Sequence, residues 1–190
     1  MTRVFALLFA AVTLLAGIDH ARAQGFDMRD IMGGGPNFGG GGSSPIPRGT
    51  VGFAGQYSPG TIVINTAERR LYLVLGNGQA LRYGIGVGRD GFRWGGTHRI
   101  SAKKEWPGWT PPSQMRARRP DLPRYMAGGI DNPLGARAMY LGSTLYRIHG
   151  SNEPETIGQA VSSGCFRMTN DDVTDLYGRV AVGTTVVVKN

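Results

Sequence analysis

The sequence has few residues that could cross-link a small domain or hold a metal ion. It contains one cysteine and three histidines in 190 residues. A single cysteine excludes an intramolecular disulfide framework and a cysteine-rich zinc cage. The longest apolar run covers residues 4–16, which is shorter than the ~20 residues that span a membrane. We therefore expect a domain held together by its hydrophobic core, with no metal and no cofactor.

The first 23 residues have the pattern of a secretory signal peptide. Arg3 gives a positively charged start, residues 4–16 form the apolar segment, and Ala21 to Ala23 (ARA) form a small-x-small cleavage site. An N-terminal membrane anchor is the alternative, which the short apolar segment disfavours. We expect cleavage after Ala23, export to the periplasm, and no stable membrane insertion of the mature chain.

The chain is basic, with 21 Lys+Arg against 13 Asp+Glu and a formal net charge of +8. A basic exported protein suits an anionic polymer or surface of the cell envelope, although ordinary solubilising charge explains the excess equally well. Nucleic acid is disfavoured as a partner because of export. In addition, apart from Arg116, Arg118, Arg119 and Arg124, the charges are scattered and lack an aromatic-basic stacking module.

A glycine-rich stretch separates the signal peptide from the rest. Seven of the 13 residues at positions 32–44 are glycine. Such a run buries too little apolar surface to offset its backbone entropy. We predict a flexible linker over residues 24–55 and one folded domain over residues 56–190.

Residues 56–190 have the patterning of a mainly β domain. Alternating or β-branched apolar runs, bounded by turn residues, predict seven strands. They lie over residues 61–65, 70–75, 81–88, 99–105, 138–141, 145–149 and 184–189. Many short strands with little helix predict a β-sandwich or open barrel with one or two short helices.

Two short helices are predicted between the strands. Residues 171–180 carry apolar side chains at helical spacing, and Thr169 or Asn170 can cap their N-terminus. Residues 156–161 follow a proline that suits a first helical position, and form one or two turns. These helices would cover only a small part of the sheet.

A proline- and tryptophan-rich stretch, residues 105–115, is predicted to be a long surface loop. Its Trp106 and Trp109 could roof a cleft as a lid. They could equally form a satellite of the hydrophobic core.

Cys165 and His149 are the residues best suited to covalent chemistry. A neighbouring imidazole can take the proton of a thiol and release a strong nucleophile. His149 ends an apolar strand and Cys165 follows 16 residues later, so the chain can fold back and bring them together. A buried structural cysteine and a satisfied core histidine are the alternatives. His98 is assigned a structural or surface role, and no histidine or cysteine spacing is typical of a metal site.

The residues around this pair strengthen the hypothesis. Ser163 and Gly164 allow a tight turn before the cysteine, whose amide N–H groups could form an oxyanion hole. The carbonyl of Gly150 could orient the imidazole through its other nitrogen.

The stretch from residue 149 to 177, HGSNEPETIGQAVSSGCFRMTNDDVTDLY, resembles the active-site signature of the L,D-transpeptidases, the YkuD (ErfK/YbiS/YcfS/YnhG) family. The resemblance implies that His149 is the general base and Cys165 the nucleophile. It also implies that the Gly150 carbonyl orients the histidine and that Gly164 and Cys165 supply the oxyanion amides. Arg167 matches an arginine that supports the site or binds substrate carboxylates.

Other segments extend the resemblance over about residues 58–190. They include the hairpin and strand at 62–88, the segment DNPLGARAMYL at 131–141, and the closing strand. Two departures stand out. Ser163 replaces the family's usual histidine, which puts an oxyanion or substrate contact in doubt. The sequence WGGTHRI replaces the usual Thr-Pro-x-Gly-x-Phe segment, so the turn there should differ.

The resemblance implies a YkuD-type fold and a cysteine-dependent acyltransferase of the cell wall that acts on peptidoglycan stem peptides. Cys165 would attack the L-centre carbonyl of the third-position diamino acid and release D-Ala. An amine would then resolve the thioester, giving a 3–3 cross-link or an anchored envelope protein. The alternatives are water as acceptor, which makes an L,D-carboxypeptidase, and a catalytically silent wall-binding module.

Overall fold

The computed structural model describes residues 44–190. The signal peptide predicted over residues 1–23, and the linker up to residue 43, lie outside the described residues. The described part is mainly β, as predicted, with eleven strands and two α-helices. Within it, no helix is long and apolar enough to cross a membrane.

Nine strands form one sheet in the order β1-β4-β3-β2-β11-β6-β7-β8-β10, and β5 pairs with β9 in a small second sheet. The strands are β1 (Gly49–Gly52), β2 (Ile62–Asn65), β3 (Arg70–Gly76), β4 (Gln79–Gly84), β5 (Val87–Gly88), β6 (Gly96–Glu105), β7 (Arg137–Leu141), β8 (Arg147–His149), β9 (Ala160–Ser162), β10 (Phe166–Arg167) and β11 (Thr185–Lys189). The helices are α1 (Ser113–Arg118) and α2 (Asn170–Arg179), and Pro154–Thr156 form a 3₁₀ turn.

The centre of the large sheet consists of the most continuously apolar strands. Ile62, Val63 and Ile64 of β2 are all buried, and β2 lies between β3 and the parallel strand β11. A strand covered on both faces needs an apolar run rather than alternation. The hairpin β3–β4 is joined by Asn77 and Gly78, both with positive φ, as a tight hairpin turn requires.

Helix α2 closes one side of the core. The side chain of Thr169 caps it by accepting a hydrogen bond from Asp172 N at 3.2 Å, which confirms the predicted cap. Its buried Val173 and Leu176 join the main core. At the other end, Lys103 Nζ donates to the carbonyls of Tyr177 and Val180, where a cation complements the helix dipole.

The folded part begins earlier than predicted. Residues 49–52, assigned above to the linker, form β1 and pair antiparallel with β4. Arg48 also forms an ion pair with Asp172 at 3.2 Å. The sequence gives little sign of this strand, because GTVG has no apolar alternation and its stability comes from pairing with a distant strand.

Three other predictions about local structure are wrong. The strand predicted over residues 81–88 is divided into β4 and β5, because the chain switches pairing partner at Ile85 and Gly86. The helix predicted over 156–161 is a 3₁₀ turn followed by β9. The loop predicted over 105–115 contains the start of α1, since Ser113–Arg118 follow two prolines and form a helix of their own.

Candidate active site

A cavity of about 270 Å³ opens beside the residues singled out for chemistry. Its walls come from β8, from the turn before β10, from the segment around α1, and from Pro133 and Leu134. Cys165, His149, Ser163 and Arg167 all line it. The parallel pairing of β8 and β10 sets Arg167 opposite His149 and places Cys165, just before β10, beside the start of β8, so that all of these residues line one cavity.

His149 is fixed in one orientation. Its Nδ1 lies 2.6 Å from the carbonyl oxygen of Gly150, which can only accept, so Nδ1 carries the proton and Nε2 presents a lone pair. Gly150 has no room for a side chain, because a Cβ there would overlap the side-chain oxygen of Asn170. That asparagine oxygen also accepts from Ala136 N at 2.8 Å. The imidazole therefore rests on a tightly packed backbone.

The imidazole of His149 is neutral at physiological pH. Its side chain is 4% exposed, and burial lowers its pKa to about 3, helped by the positive charges of Arg167 and Arg147. The hydrogen bond to the Gly150 carbonyl acts in the opposite direction but is outweighed. A neutral imidazole with a free Nε2 can accept a proton.

The tight turn that precedes Cys165 requires glycine at position 164. Gly164 has a φ of +107°, and a Cβ at this position would overlap the ring of Tyr146. That ring stacks on Trp94 with centroids 4.3 Å apart, and Trp94 Nε1 donates to the Gly164 carbonyl at 2.7 Å. Cys165 itself is a free thiol, with Sγ 3.9 Å from the carbonyl of Leu145.

The amides near the thiol are only partly available for an oxyanion. Gly164 N–H donates to Ser162 Oγ at 3.1 Å, and that hydroxyl donates to the Cys165 carbonyl at 2.6 Å. An oxyanion contact from Gly164 would require this bond to break. Ser163 Oγ is buried at the cavity wall and has no hydrogen-bond partner within residues 44–190. Its hydroxyl is therefore a polar group that a bound substrate can satisfy.

Arg167 is held from behind by an acidic residue that the sequence pattern does not reveal. Glu153 Oε2 accepts from Arg167 Nη1 at 2.9 Å, and both side chains are largely buried. Burial raises the pKa of Glu153 to about 7, against the opposing influence of Arg167, and burial also lowers the pKa of Arg167. The pair fixes the guanidinium at the cavity wall. No sequence signal distinguished Glu153 from a surface glutamate.

The two tryptophans of the predicted lid have different positions. Trp109 is 6% exposed, lines the cavity, and packs with Leu122 and Leu134 in a second small core. Trp106 is 45% exposed and does not line the cavity. The wall on this side also contains Met115 and Arg118 of α1, which the sequence analysis did not assign to the site.

No metal site is evident in this region. Within residues 44–190, no three histidine, cysteine or acidic side chains are grouped so as to hold a metal ion. What the arrangement offers is a thiol, a neutral imidazole with a fixed tautomer, and nearby arginines. These groups are suited to acyl transfer through a thioester.

The chain belongs to the YkuD family. The family model for the L,D-transpeptidase catalytic domain matches residues 59–188, nearly all of the described fold. The predicted family and the YkuD-type fold are thereby confirmed.

Relatives in sequence agree with this assignment. The chain is 42% identical over 134 residues to "Probable L,D-transpeptidase YbiS" and 40% identical over 134 residues to "Probable L,D-transpeptidase ErfK/SrfK", both of Escherichia coli K12. Each match covers 66% of this chain but only 43% and 42% of the relative, respectively. The chain therefore corresponds to less than half the length of these proteins.

Solved structures share the fold. A Brucella melitensis crystal structure described as "Probable carnitine operon oxidoreductase caia" is 49% identical with a TM-score of 0.53, covering 77% of this chain and 96% of that one. The oxidoreductase description concerns the Brucella protein. The catalytic domain of the Enterococcus faecium L,D-transpeptidase is 19% identical with a TM-score of 0.53, covering 71% of this chain and all of that one. At that identity it supports the fold alone.

Proposed function

We propose that this protein is a peptidoglycan L,D-transpeptidase with Cys165 as nucleophile and His149 as general base. The observation that carries the proposal is the parallel β8–β10 pairing, which brings thiol and imidazole to one cavity. The family assignment supports the reaction class. The acyl donor is the tetrapeptide stem, and the residue attacked is its third-position diamino acid.

The first half of the reaction forms a thioester. Nε2 of His149 takes the thiol proton as the sulfur attacks the L-centre carbonyl carbon. The amide C–N bond then breaks, and His149 returns the proton to the amine of the departing D-Ala. The Gly150 carbonyl keeps Nδ1 protonated throughout, so that Nε2 alone exchanges the proton.

The second half transfers the acyl group to an amine. His149 takes a proton from the incoming amine as it attacks the thioester carbonyl. The C–S bond then breaks, and His149 returns the proton to the sulfur of Cys165. The amine of a second stem gives a 3–3 cross-link, and an amine of an envelope protein gives covalent anchoring. The cavity wall formed by Trp109 would limit access of water, the competing acceptor.

We further propose that the protein acts after export, in the periplasm, where its substrate is located. The signal-peptide pattern of residues 1–23 and the basic charge support this location. Cell-wall biogenesis and maintenance of cell shape would be the physiological outcome.

The proposal is tested with purified protein and a tetrapeptide muropeptide, with products analysed by mass spectrometry. We expect a cross-linked dimer that lacks one D-Ala, formed by the wild-type protein and by His98→Gln. No product should form with Cys165→Ala or His149→Gln. His98 is a suitable control because it is a histidine outside the cavity, packed edge-on against Trp94.

Other products would change the assignment. A tripeptide monomer alone would identify water as the acceptor and make the protein an L,D-carboxypeptidase. Unchanged substrate together with binding to purified cell wall would favour the wall-binding module. Product formation by Cys165→Ala would refute the proposed nucleophile.

A further inference from the structure

The charged residues that line the cavity all carry positive charge. Arg118, Arg147 and Arg167 are among its lining residues, and none of the described residues that line it is acidic. Arg167 is paired with Glu153 behind the wall. The other two arginines have no ion-pair partner within the part of the chain that the structure describes. The cavity wall thus carries positive charge that carboxylates among the described residues leave uncompensated.

Arg147 lines the cavity from the same strand as His149. It precedes His149 by two positions on β8, so the two side chains lie on the same face, while Ile148 between them is fully buried on the other. The positive charge of Arg147 is also one of the causes that lower the pKa of His149.

The guanidinium of Arg147 is positioned but not satisfied. Nη1 donates to the Leu145 carbonyl at 2.9 Å, and the group lies 5.2 Å from the centre of the Tyr140 ring. Its Nε is buried and has no hydrogen-bond partner among residues 44–190. A guanidinium fixed in this way loses little entropy when an anion binds, and a buried donor without an acceptor favours a ligand that supplies one.

Arg118 lines the same cavity from a different element. It lies in the last turn of α1, which follows the sequence Pro111-Pro112 and contributes Gln114 and Met115 to the wall. Its side chain is exposed and free to swing toward a ligand. The two arginines therefore approach the cavity from two separate elements.

We propose that Arg147 and Arg118 form a carboxylate subsite that selects the acyl donor. The inference rests on the proposed function and names the feature of the donor that is recognised. A stem ending in a diamino acid and D-Ala carries two carboxylates near the scissile bond: one on the side chain of the diamino acid and one on the departing D-Ala. Arginine recognises either one through charge-assisted hydrogen bonds.

The test compares three synthetic tetrapeptide donors: the free acid, the diamino acid side-chain amide and the C-terminal amide. Formation of the acyl-enzyme is followed by mass spectrometry. We expect kcat/KM of the wild type to fall by about 10- to 100-fold for one of the amides, which is the usual size of a lost charge-assisted contact. The amide with the lowered kcat/KM identifies which of the two carboxylates is bound.

Variants assign that loss to residues. Arg147→Gln should lower kcat/KM for the free acid by a similar factor. For the amide that the wild type uses poorly, the substitution should lower kcat/KM little further, because the contact is already missing. Arg118→Gln, at an exposed position that carries no risk to folding, should show the same pattern. Arg124→Gln is the matched control, since Arg124 is exposed, lies outside the cavity and removes the same charge.

A second readout needs no turnover. Calorimetry with the Cys165→Ala protein should give a higher Kd for the amide whose kcat/KM is lowered than for the free acid. Equal kcat/KM for all three donors, or equal losses on acid and amide in both arginine variants, would overturn the subsite while leaving the transpeptidase proposal intact. Failure of the wild type to react with any donor would overturn the proposed function and the subsite with it.

Discussion

Gly164 should be the least replaceable residue of the turn that holds the thiol. In Gly164→Ala, the new Cβ would occupy a backbone conformation of φ +107° that side chains rarely adopt, and it would overlap the Tyr146 ring. A disfavoured backbone conformation costs about 1–3 kcal/mol, and overpacking costs a further ~1–3 kcal/mol. The Tyr146 ring cannot easily retreat, because it is stacked on Trp94. The variant should therefore be destabilised by about 2–6 kcal/mol.

Thermal unfolding and the rate of acyl-enzyme formation measure this effect. For a chain of this size, about 2–6 kcal/mol corresponds to a fall in Tm of about 4–24 °C. If the turn relaxes instead, Tm changes less but Cys165 moves and acylation is lost. Gly178→Ala is the matched control, since its Cβ would meet nothing within 4 Å in α2 and should stabilise the helix by about 0.5–1 kcal/mol. Wild-type Tm combined with wild-type acylation in Gly164→Ala would refute the reasoning.

Three further predictions concern acid stability, the N-terminal segment and the cavity wall. Burial lowers the pKa of His149 from 6.5 to about 3, so the unfolded chain binds a proton that the folded chain does not, and stability falls as pH drops below 6.5. Between pH 7 and pH 4, the free energy of unfolding measured in urea should fall by about 3 kcal/mol more in the wild type than in His149→Gln. Equal losses would contradict the lowered pKa of His149. Arg48→Ala should lower the free energy of unfolding by about 1–2 kcal/mol at pH 7, because it leaves the 6%-exposed Asp172 without its ion pair. The effect is modest because Arg48 is 42% exposed. Arg48→Lys should retain most of the stability. Trp109→Ala should raise hydrolysis relative to transfer and lower the Tm, and Trp106→Ala should do neither. An unchanged ratio of hydrolysis to transfer in Trp109→Ala would refute the proposal that Trp109 limits access of water.

Much of the large sheet could be predicted from local patterns. The run IVIN and the run RLYLVL each carry enough β-branched and apolar residues to specify a strand without reference to their partners, and β2 and β3 lie where expected. Helix α2 was predictable for the same reason, because its cap and its apolar face are encoded within a dozen residues.

The errors lie where pairing partners are distant. Residues 160–162 carry no strong strand signal, and they become β9 only because β5 lies alongside in parallel. The two-residue strand β10 is similarly defined by β8. In both cases the structure depends on tertiary contacts that outweigh local propensity.

The same distinction applies to the candidate site. The residue types of Cys165 and His149 suggested chemistry, but spacing alone left structural alternatives open, and the resemblance to the YkuD family was needed to assign them. Their common cavity results from a parallel strand pairing that no local pattern encodes. Glu153 and Arg147 were missed because a lone glutamate or arginine in a sequence gives no indication that it is buried against a functional group.

The neutral state of His149 leads to a last prediction, about the timing of proton transfer. Burial and two nearby arginines disfavour the imidazolium, so a resting ion pair between Cys165 and His149 would be costly. In the proposed reaction, the thiol proton should therefore move to Nε2 as the sulfur attacks, and acylation should be slower in D₂O than in H₂O. A preformed thiolate would need no proton transfer to attack and would give no such isotope effect on the attack step. Single-turnover acylation measured in the two solvents, on the pH-independent part of the profile, distinguishes the two cases. An isotope effect of one would show that the proton has already left the thiol, despite the burial of His149.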